Sequence, residues 1–253
     1  MIGNEKVPYI NSLAARGALF TQSYGVTHPS LPNYIAFFSG STHRVRNNKC
    51  SNGPRFANEP NLGSQMFEAG LSFTGFAESL PFVGYKGCAT GNYARKHNPW
   101  VRFNNIPEDR NRPFSDFPTD FTQLPTVAFV VPNEIHNGHD APLPAADAWL
   151  AANIEPYVQW ALTHNSLLIL TWDEGAGRGG GKGNHIPTIF VGEMVVPGQY
   201  DIRINHYNVL RTLQEMYGLA PIANSARAEP IRNVWKNPAV STESTSETLP
   251  DDF

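Results

Sequence analysis

The chain has 253 residues and a formal charge of −3; 41% of positions are apolar, only 16% are charged, and Gly and Pro supply 21 residues each. That length suits one large domain or two small ones, with a proper core. The near-neutral balance excludes the basic surplus of a nucleic-acid binder, the 15 Phe, 9 Tyr and 5 Trp exclude a disordered chain, and apolar runs no longer than Val127–Val131 or Leu167–Leu170 exclude a transmembrane helix.

In chain order, Met1-Ile2-Gly3-Asn4 shows no basic or apolar leader and leads almost directly into a helix over Pro8–Leu19, with Pro in its first turn. A strand over Ala18–Tyr24 and a helix over Leu31–Phe38 follow. Thr42–Pro60 reads as polar loop, Asn61–Ala69 as helix and Ser72–Ala77 as strand. Glu78–Pro125 is aromatic, interrupted by Pro and without a period, which predicts a lid or binding loop.

Thr126–Val131 is an apolar strand and Asn133–Pro144 a loop rich in His, Asn and Asp. Ala145–Thr163 is an amphipathic helix that Pro156 kinks or restarts. The strand Ser166–Trp172, a glycine loop over Gly175–Gly183, the strand Ile186–Val191 and a helix over Asn205–Tyr217 complete the pattern. Residues 1–228 form one domain with a loop-rich insertion at about 78–125. Glu229–Phe253 reads as a disordered polar tail. Apolar strands alternating with helices predict an α/β sandwich of three layers around a mainly parallel sheet.

Polar clusters fall at strand ends, where such sheets carry their sites. Ser30 opens a helix after a strand. It is either a simple N-cap or a nucleophile whose alkoxide the helix N-terminus favours, with Asn33 one turn on. Asp173 and Glu174 end an apolar strand. They form either a solvated turn or a hard-oxygen metal site. His185 lies 12 residues beyond Asp173, close enough for the glycine loop to fold back. That loop lacks a P-loop spacing and leads into a strand, which excludes a nucleotide cradle.

His139, followed by Asp140, is a candidate ligand, and His136 a weaker one. Lys96, His97 and Asn98 form either an anion contact or a solvated basic turn. His28, His43 and His164 receive no role, and His206 reads as structural. Cys50 and Cys88, 38 positions apart, are either two free thiols or one disulfide. Their loop contexts favour the disulfide and an oxidising compartment.

Six motifs, THPSLPNYIAFFSG, NYARKHNPW, FSDFPTDF, LTWDEG, NHIPTIFVG and INHYNVLRTLQEMYGL, together resemble a phosphoesterase family. That family holds bacterial and fungal acid phosphatases and phosphatidylcholine-type phospholipases C, within the alkaline-phosphatase-like superfamily. The resemblance runs from about Pro8 to Leu219. It implies hydrolysis of small phosphorylated substrates through a phosphoserine on Ser30, with Asn33 holding phosphate. It also implies a divalent cation held by Asp173, Glu174 and the Ser30 oxygen, and an extracytoplasmic location. His139 and His185 fall at metal or transition-state positions, and Lys96, His97 and Asn98 on the substrate side.

Two departures stand out. The family's first strand, with an acidic and an Asn ligand, has no counterpart here, and Glu5 does not replace it. Asn137 stands where Asp is expected. These predict a truncated chain or an impaired metal site. The alternatives to an acid-phosphatase-like hydrolase are therefore a phosphate-binding homologue without activity, and a phospholipase C.

Overall fold

The structure is a computed structural model and describes residues 1–50, 56–176 and 183–236. Its helices are α1 (Pro8–Arg16), α2 (Ser30–Ser39), α3 (Leu62–Glu68), α4 (Leu143–Asn153), α5 (Glu155–Ala161) and α6 (His206–Met216). Its strands are β1 (Ala18–Tyr24), β2 (Phe73–Ala77), β3 (Ala89–Thr90), β4 (Tyr93–Ala94), β5 (Asn111–Pro113), β6 (Val127–Val131), β7 (Leu168–Thr171), β8 (Thr188–Val191) and β9 (Gly198–Asn205). The expected α/β alternation is present. The long helix divides at Ile154, and Pro156 lies in the first turn of α5, where its missing N–H leaves no bond unmade.

The central layer is in two parts, with strand orders β7-β8-β1-β9 and β5-β2-β6. The second part is parallel throughout. In the first, β1 and β9 are parallel while β8 runs antiparallel to both β1 and β7. No helix intervenes among the described residues between β7 and β8, and antiparallel neighbours need no crossover helix. Among the described strands, β6 pairs with β2 alone and β7 with β8 alone.

Both parts still share one pair of cores. Phe129 of β6 and Ile169 of β7 pack against the cluster of Ile35, Phe38, Leu62 and Leu210, contributed by α2, α3 and α6. Val130 and Leu170 pack against the cluster of Ile10, Leu13, Trp149 and Val158, contributed by α1, α4 and α5. Alternate strand residues thus face opposite helical layers, as the pleat requires. On the second layer, Asp147 accepts from the Tyr9 and Ile10 amides at 3.1 and 2.7 Å, placing a carboxylate at the α1 N-terminus.

The 78–125 segment is not a free lid. It is a chain of short turns anchored by Tyr93, Trp100, Phe103 and Ile106, all buried. Trp100 lies so close over β2 that a Cβ on Gly75 would come within 2.2 Å of its ring. Its indole donates to Asn111 Oδ1 at 2.8 Å. A disulfide between Cys50 and Cys88, with Cα atoms 5.6 Å apart, ties this segment to the 42–50 loop.

Two expectations about the C-terminal third are corrected. Gly198–Asn205 forms β9, an edge strand absent from the sequence reading. Residues 229–236 belong to the fold, because Ile231 and Val234 are buried and Trp235 stacks on Phe190. The rest of the predicted tail, 237–253, and the middle of the glycine loop lie outside the described residues.

Candidate active site

Three chain segments converge at the C-terminal ends of β1 and β7. The first is 25–33, which leaves β1, turns and enters α2. Its shape is set by Asn33, which is fully buried. Asn33 Oδ1 accepts from the Val26 and Thr27 amides at 3.0 Å each, and its Nδ2 donates to Thr27 O at 2.7 Å and Pro29 O at 3.3 Å. One side chain closes the loop from within and presents Ser30 at the start of the helix.

The second segment is the turn 173–175 after β7. Ser30 Oγ donates to Glu174 Oε1 at 2.8 Å, and His28 Nδ1 contacts the other oxygen, Glu174 Oε2. Asp173 Oδ2 is buried without a hydrogen-bond partner. Its carboxyl is pushed up to about 6, first by burial and then by the neighbouring Glu174 charge. An orphaned carboxylate oxygen beside a second carboxylate is a site short of positive charge.

Asn184 fastens these two segments together. Its Nδ2 donates to Thr27 O at 2.8 Å, and its Oδ1 accepts from Gly175 N at 2.7 Å. Gly25 is needed at this crossing, since a Cβ there would lie 2.7 Å from both Asn184 Nδ2 and Asp173 O. His206, held at the α6 start by the reciprocal Asn205–Asn208 cap, reaches Asp173 O with Nε2 at 2.6 Å. Facing a carbonyl, that nitrogen donates. Burial pulls the ring down to about 4, so it stays neutral.

The third segment is the wall contributed by 96–97 and 134–140. Together the three enclose a cavity of about 310 Å³ lined by His28, Ser30, Asn48, Lys96, His139 and Glu174, among others. Lys96 Nζ is 3.1 Å from Glu134 Oε1. His97 is buried against Tyr34, ring centroids 5.0 Å apart, and pulled down to about 3 by burial and then by Lys96. It is therefore neutral. His139 is exposed and bonds its neighbour Asp140 at 2.5 Å.

The sequence-predicted residues divide accordingly. Ser30, Asp173, Glu174, Lys96, His97 and His139 are brought to one cavity. Asn33 is beside it, but every polar atom of its amide is engaged within the loop. Asn98 faces Tyr93 and Asn111 in the interior. His185 turns outward, with Nε2 on Thr21 O at 2.8 Å and its ring against Tyr24. His136 bonds Glu78 at 2.9 Å, and Asn137 bonds Glu134 at 2.8 Å.

Three residues were missed. His28 and Asn184 adjoin predicted site residues, so proximity in sequence was a usable signal. Asn48, in a polar loop, had none. It lines the cavity and accepts from Leu31 N at 2.9 Å. That bond also spends one N–H of the α2 terminus, and Pro32 has none. The helix thus offers its field more than a cradle of donors.

Among the described residues no three His, Cys, Asp or Glu side chains gather into a ready-made metal cage. No helix among them is long and apolar enough to cross a membrane.

The arrangement defines a class. It has the fold of the alkaline phosphatase superfamily, with a hydroxyl at a helix start facing an acidic strand end. A superfamily protein from Vibrio parahaemolyticus superposes with TM-score 0.64 over 90% of this chain and 65% of its own, at 15% identity. A phosphonate monoester hydrolase from Silicibacter pomeroyi gives 0.53 over 89% and 71%, at 14% identity.

The phosphoesterase family model matches residues 2–220. The chain belongs to that family, whose members here are phosphoric ester hydrolases. It is 48% identical over 238 residues to the phosphatidylinositol-3-phosphatase of Mycobacterium tuberculosis, covering 93% of this chain and 78% of that one. It is 30% identical to an acid phosphatase of Aspergillus fumigatus, covering 82% and 50%. The chain thus spans about half the length of that fungal relative.

Proposed function

We propose that this chain hydrolyses phosphate monoesters of small alcohols by passing the phosphoryl group through Ser30. The observation that carries the reading is the Ser30 hydroxyl bonded to Glu174 beside the orphaned Asp173 oxygen. Such a hydroxyl is placed to attack, and such a carboxylate pair calls for a cation.

The donor set fits a divalent metal. Asp173, Glu174 and Ser30 offer hard oxygens, and Asp173 Oδ2 awaits a partner. When bound, the cation would lower the hydroxyl pKa and neutralise phosphoryl oxygens. The chain's own residues do the rest. Glu174 Oε1 holds the Ser30 proton. Ser30 Oγ forms the bond to phosphorus as the P–O ester bond breaks, and the departing oxygen takes a proton from solvent to leave as the alcohol. Lys96 and Asn48 face the same cavity and supply charge and an amide donor to the phosphoryl oxygens, where charge develops. Water then attacks the phosphoserine, restores the hydroxyl and releases phosphate. His206 and Asn184 are positioning residues that hold the acidic turn against the nucleophile loop.

The alcohol is read from relatives. One is named for a phosphatidylinositol 3-phosphate activity and another for acid phosphatase activity, both consistent with a monoester. The Cys50–Cys88 disulfide supports an oxidising, extracytoplasmic compartment.

The test is turnover of a chromogenic phosphate monoester with and without added divalent cation. Cation-dependent turnover is expected, with a loss of at least about 10³-fold in Ser30→Ala. Turnover unchanged in that variant overturns the reading.

A further inference from the structure

The Cys50–Cys88 disulfide joins two pieces of chain that are held differently. Cys88 adjoins the β3–β4 hairpin, which has anchors of its own. Arg95 N donates to Cys88 O at 3.0 Å, β3 pairs with β4, and Tyr93 is buried. Cys50 ends a strip with less to hold it. Upstream, Val45 packs against a core cluster and His43 stacks on Phe56, ring centroids 4.4 Å apart. Beyond them Arg46, Asn47, Lys49 and Cys50 are all exposed. A strip with so little buried surface opens locally unless its far end is tied.

Asn48 alone in that strip is half-buried. It lines the Ser30 cavity and accepts from Leu31 N at 2.9 Å. Leu31 directly follows the nucleophile. The disulfide therefore ends a strip whose inward-facing side chain borders the site.

The bond is open to exchange. Both cysteines are exposed, and both line one cavity. Arg95 Nη2 donates to Cys50 Sγ at 2.7 Å. The same donor would hold a Cys50 thiolate, which makes Cys50 the better leaving sulfur and Cys88 the point of attack.

We propose that this disulfide positions Asn48 and thereby gates hydrolysis by redox state, with full activity in the oxidised chain and low activity in the reduced one. This rests on the reading of the Ser30 cavity as the phosphate-ester site. The reductant is a dithiol. One of its thiolates bonds to Cys88 Sγ as the S–S bond breaks, and Cys50 leaves as a thiolate. The second sulfur of the dithiol then displaces Cys88 from the mixed disulfide. Two electrons pass to the protein pair, the dithiol ends as a cyclic disulfide, and the protons it gives up are taken by the two cysteine sulfurs. The 46–50 strip loosens, Asn48 leaves Leu31 N, and the cavity loses an amide. A chain built this way idles in a reducing compartment and is switched on by oxidation.

The test pairs turnover with hydrogen–deuterium exchange in dithiothreitol, at saturating divalent cation, with complete reduction checked by alkylation of both thiols. Reduction should lower kcat/KM at least about 10-fold, and reoxidation should restore it. Exchange should rise in the 42–50 segment and at the Leu31 amide while β1 and β8 keep their protection. The Cys50→Ser/Cys88→Ser protein should show the reduced-state activity with or without dithiothreitol. In Asn48→Ala, reduction should change kcat/KM by less than about 2-fold, because the group it displaces is already gone.

A fully reduced parent with unchanged kcat/KM overturns the proposal. So does an equal fall in the double variant, which traces the effect to lost cation. Loss of protection throughout β1 and β8 overturns it as well, since the bond would then be a general cross-link. Failure of the hydrolase reading shows instead as unchanged turnover in Ser30→Ala, with the exchange response still confined to 42–50 and Leu31.

Discussion

The two sides of the Ser30 cavity are built differently. On the nucleophile side, the 25–33 loop and the 173–175 turn leave the ends of β1 and β7 and are locked by Asn33, Asn184 and His206 through buried bonds to backbone. On the wall side, His139 sits in a turn with its side chain 75% exposed and bonds its own neighbour. A strand end backed by buried amides fixes a reacting atom; a turn at the surface supplies charge and leaves geometry to the ligand. The proposed reading places the nucleophile on the first side and, apart from the charge of Lys96, recognition on the second.

Substitutions should separate the sides, with the greatest losses on the first. Glu174→Gln keeps the shape but removes the acceptor charge for the Ser30 proton and a metal oxygen. We expect kcat to fall by about 10²–10³-fold, read in steady-state turnover at saturating cation. A fall of less than about 10-fold would move the chemistry elsewhere.

Next comes Asp173. Its carboxyl stands at about 6 in the fold against 3.8 in the unfolded chain, a difference of about 3 kcal/mol. A raised carboxyl pKa stabilises the fold fully below the unfolded value, and that contribution is lost as pH rises through about 6. Urea unfolding of metal-free protein should show Asp173→Asn gaining on the parent by up to about 3 kcal/mol between pH of about 4 and about 8. A difference independent of pH contradicts a buried carboxylate with one orphaned oxygen. Added cation should shrink it.

Asn33→Ala strands the Val26 and Thr27 amides and two carbonyls. A stability loss of about 2–3 kcal/mol is expected, with a drop in kcat beyond that explained by unfolded protein. The smallest effect belongs to the other side. His139→Ala should change kcat/KM by less than about 10-fold, mostly through KM. A larger fall in kcat would place His139 among the catalytic residues and erase the contrast.

Much of this was legible in the sequence because strand ends announce themselves. Apolar runs followed by Ser30 or by Asp173-Glu174 mark where a parallel sheet exposes its residues. The roles of asparagines were not legible. Asn33 reads as a ligand, yet its amide closes the loop, and Asn48 has no local signal at all because its role depends on a contact with Leu31 across the fold. His185 was expected at the site, yet the left-handed backbone of Asn184 turns that amide onto Thr27 O and Gly175 N, while the His185 ring goes to Thr21 O and Tyr24. Strand β9 escaped because GQYDIRIN is polar on its solvent face and sits at an edge. The antiparallel course of β8, reached with no helix among the described residues after β7, is a topological fact that apolar composition does not encode.

The central claim is that Ser30 carries the phosphoryl group. The most direct measurement is acid quench of the protein during turnover of a good phosphate monoester with divalent cation, followed by peptide mass mapping. Phosphate on the peptide containing Ser30, absent from the Ser30→Ala protein, is the predicted result. Undiminished turnover in that variant, with no phosphorylated peptide in the parent, would contradict the account.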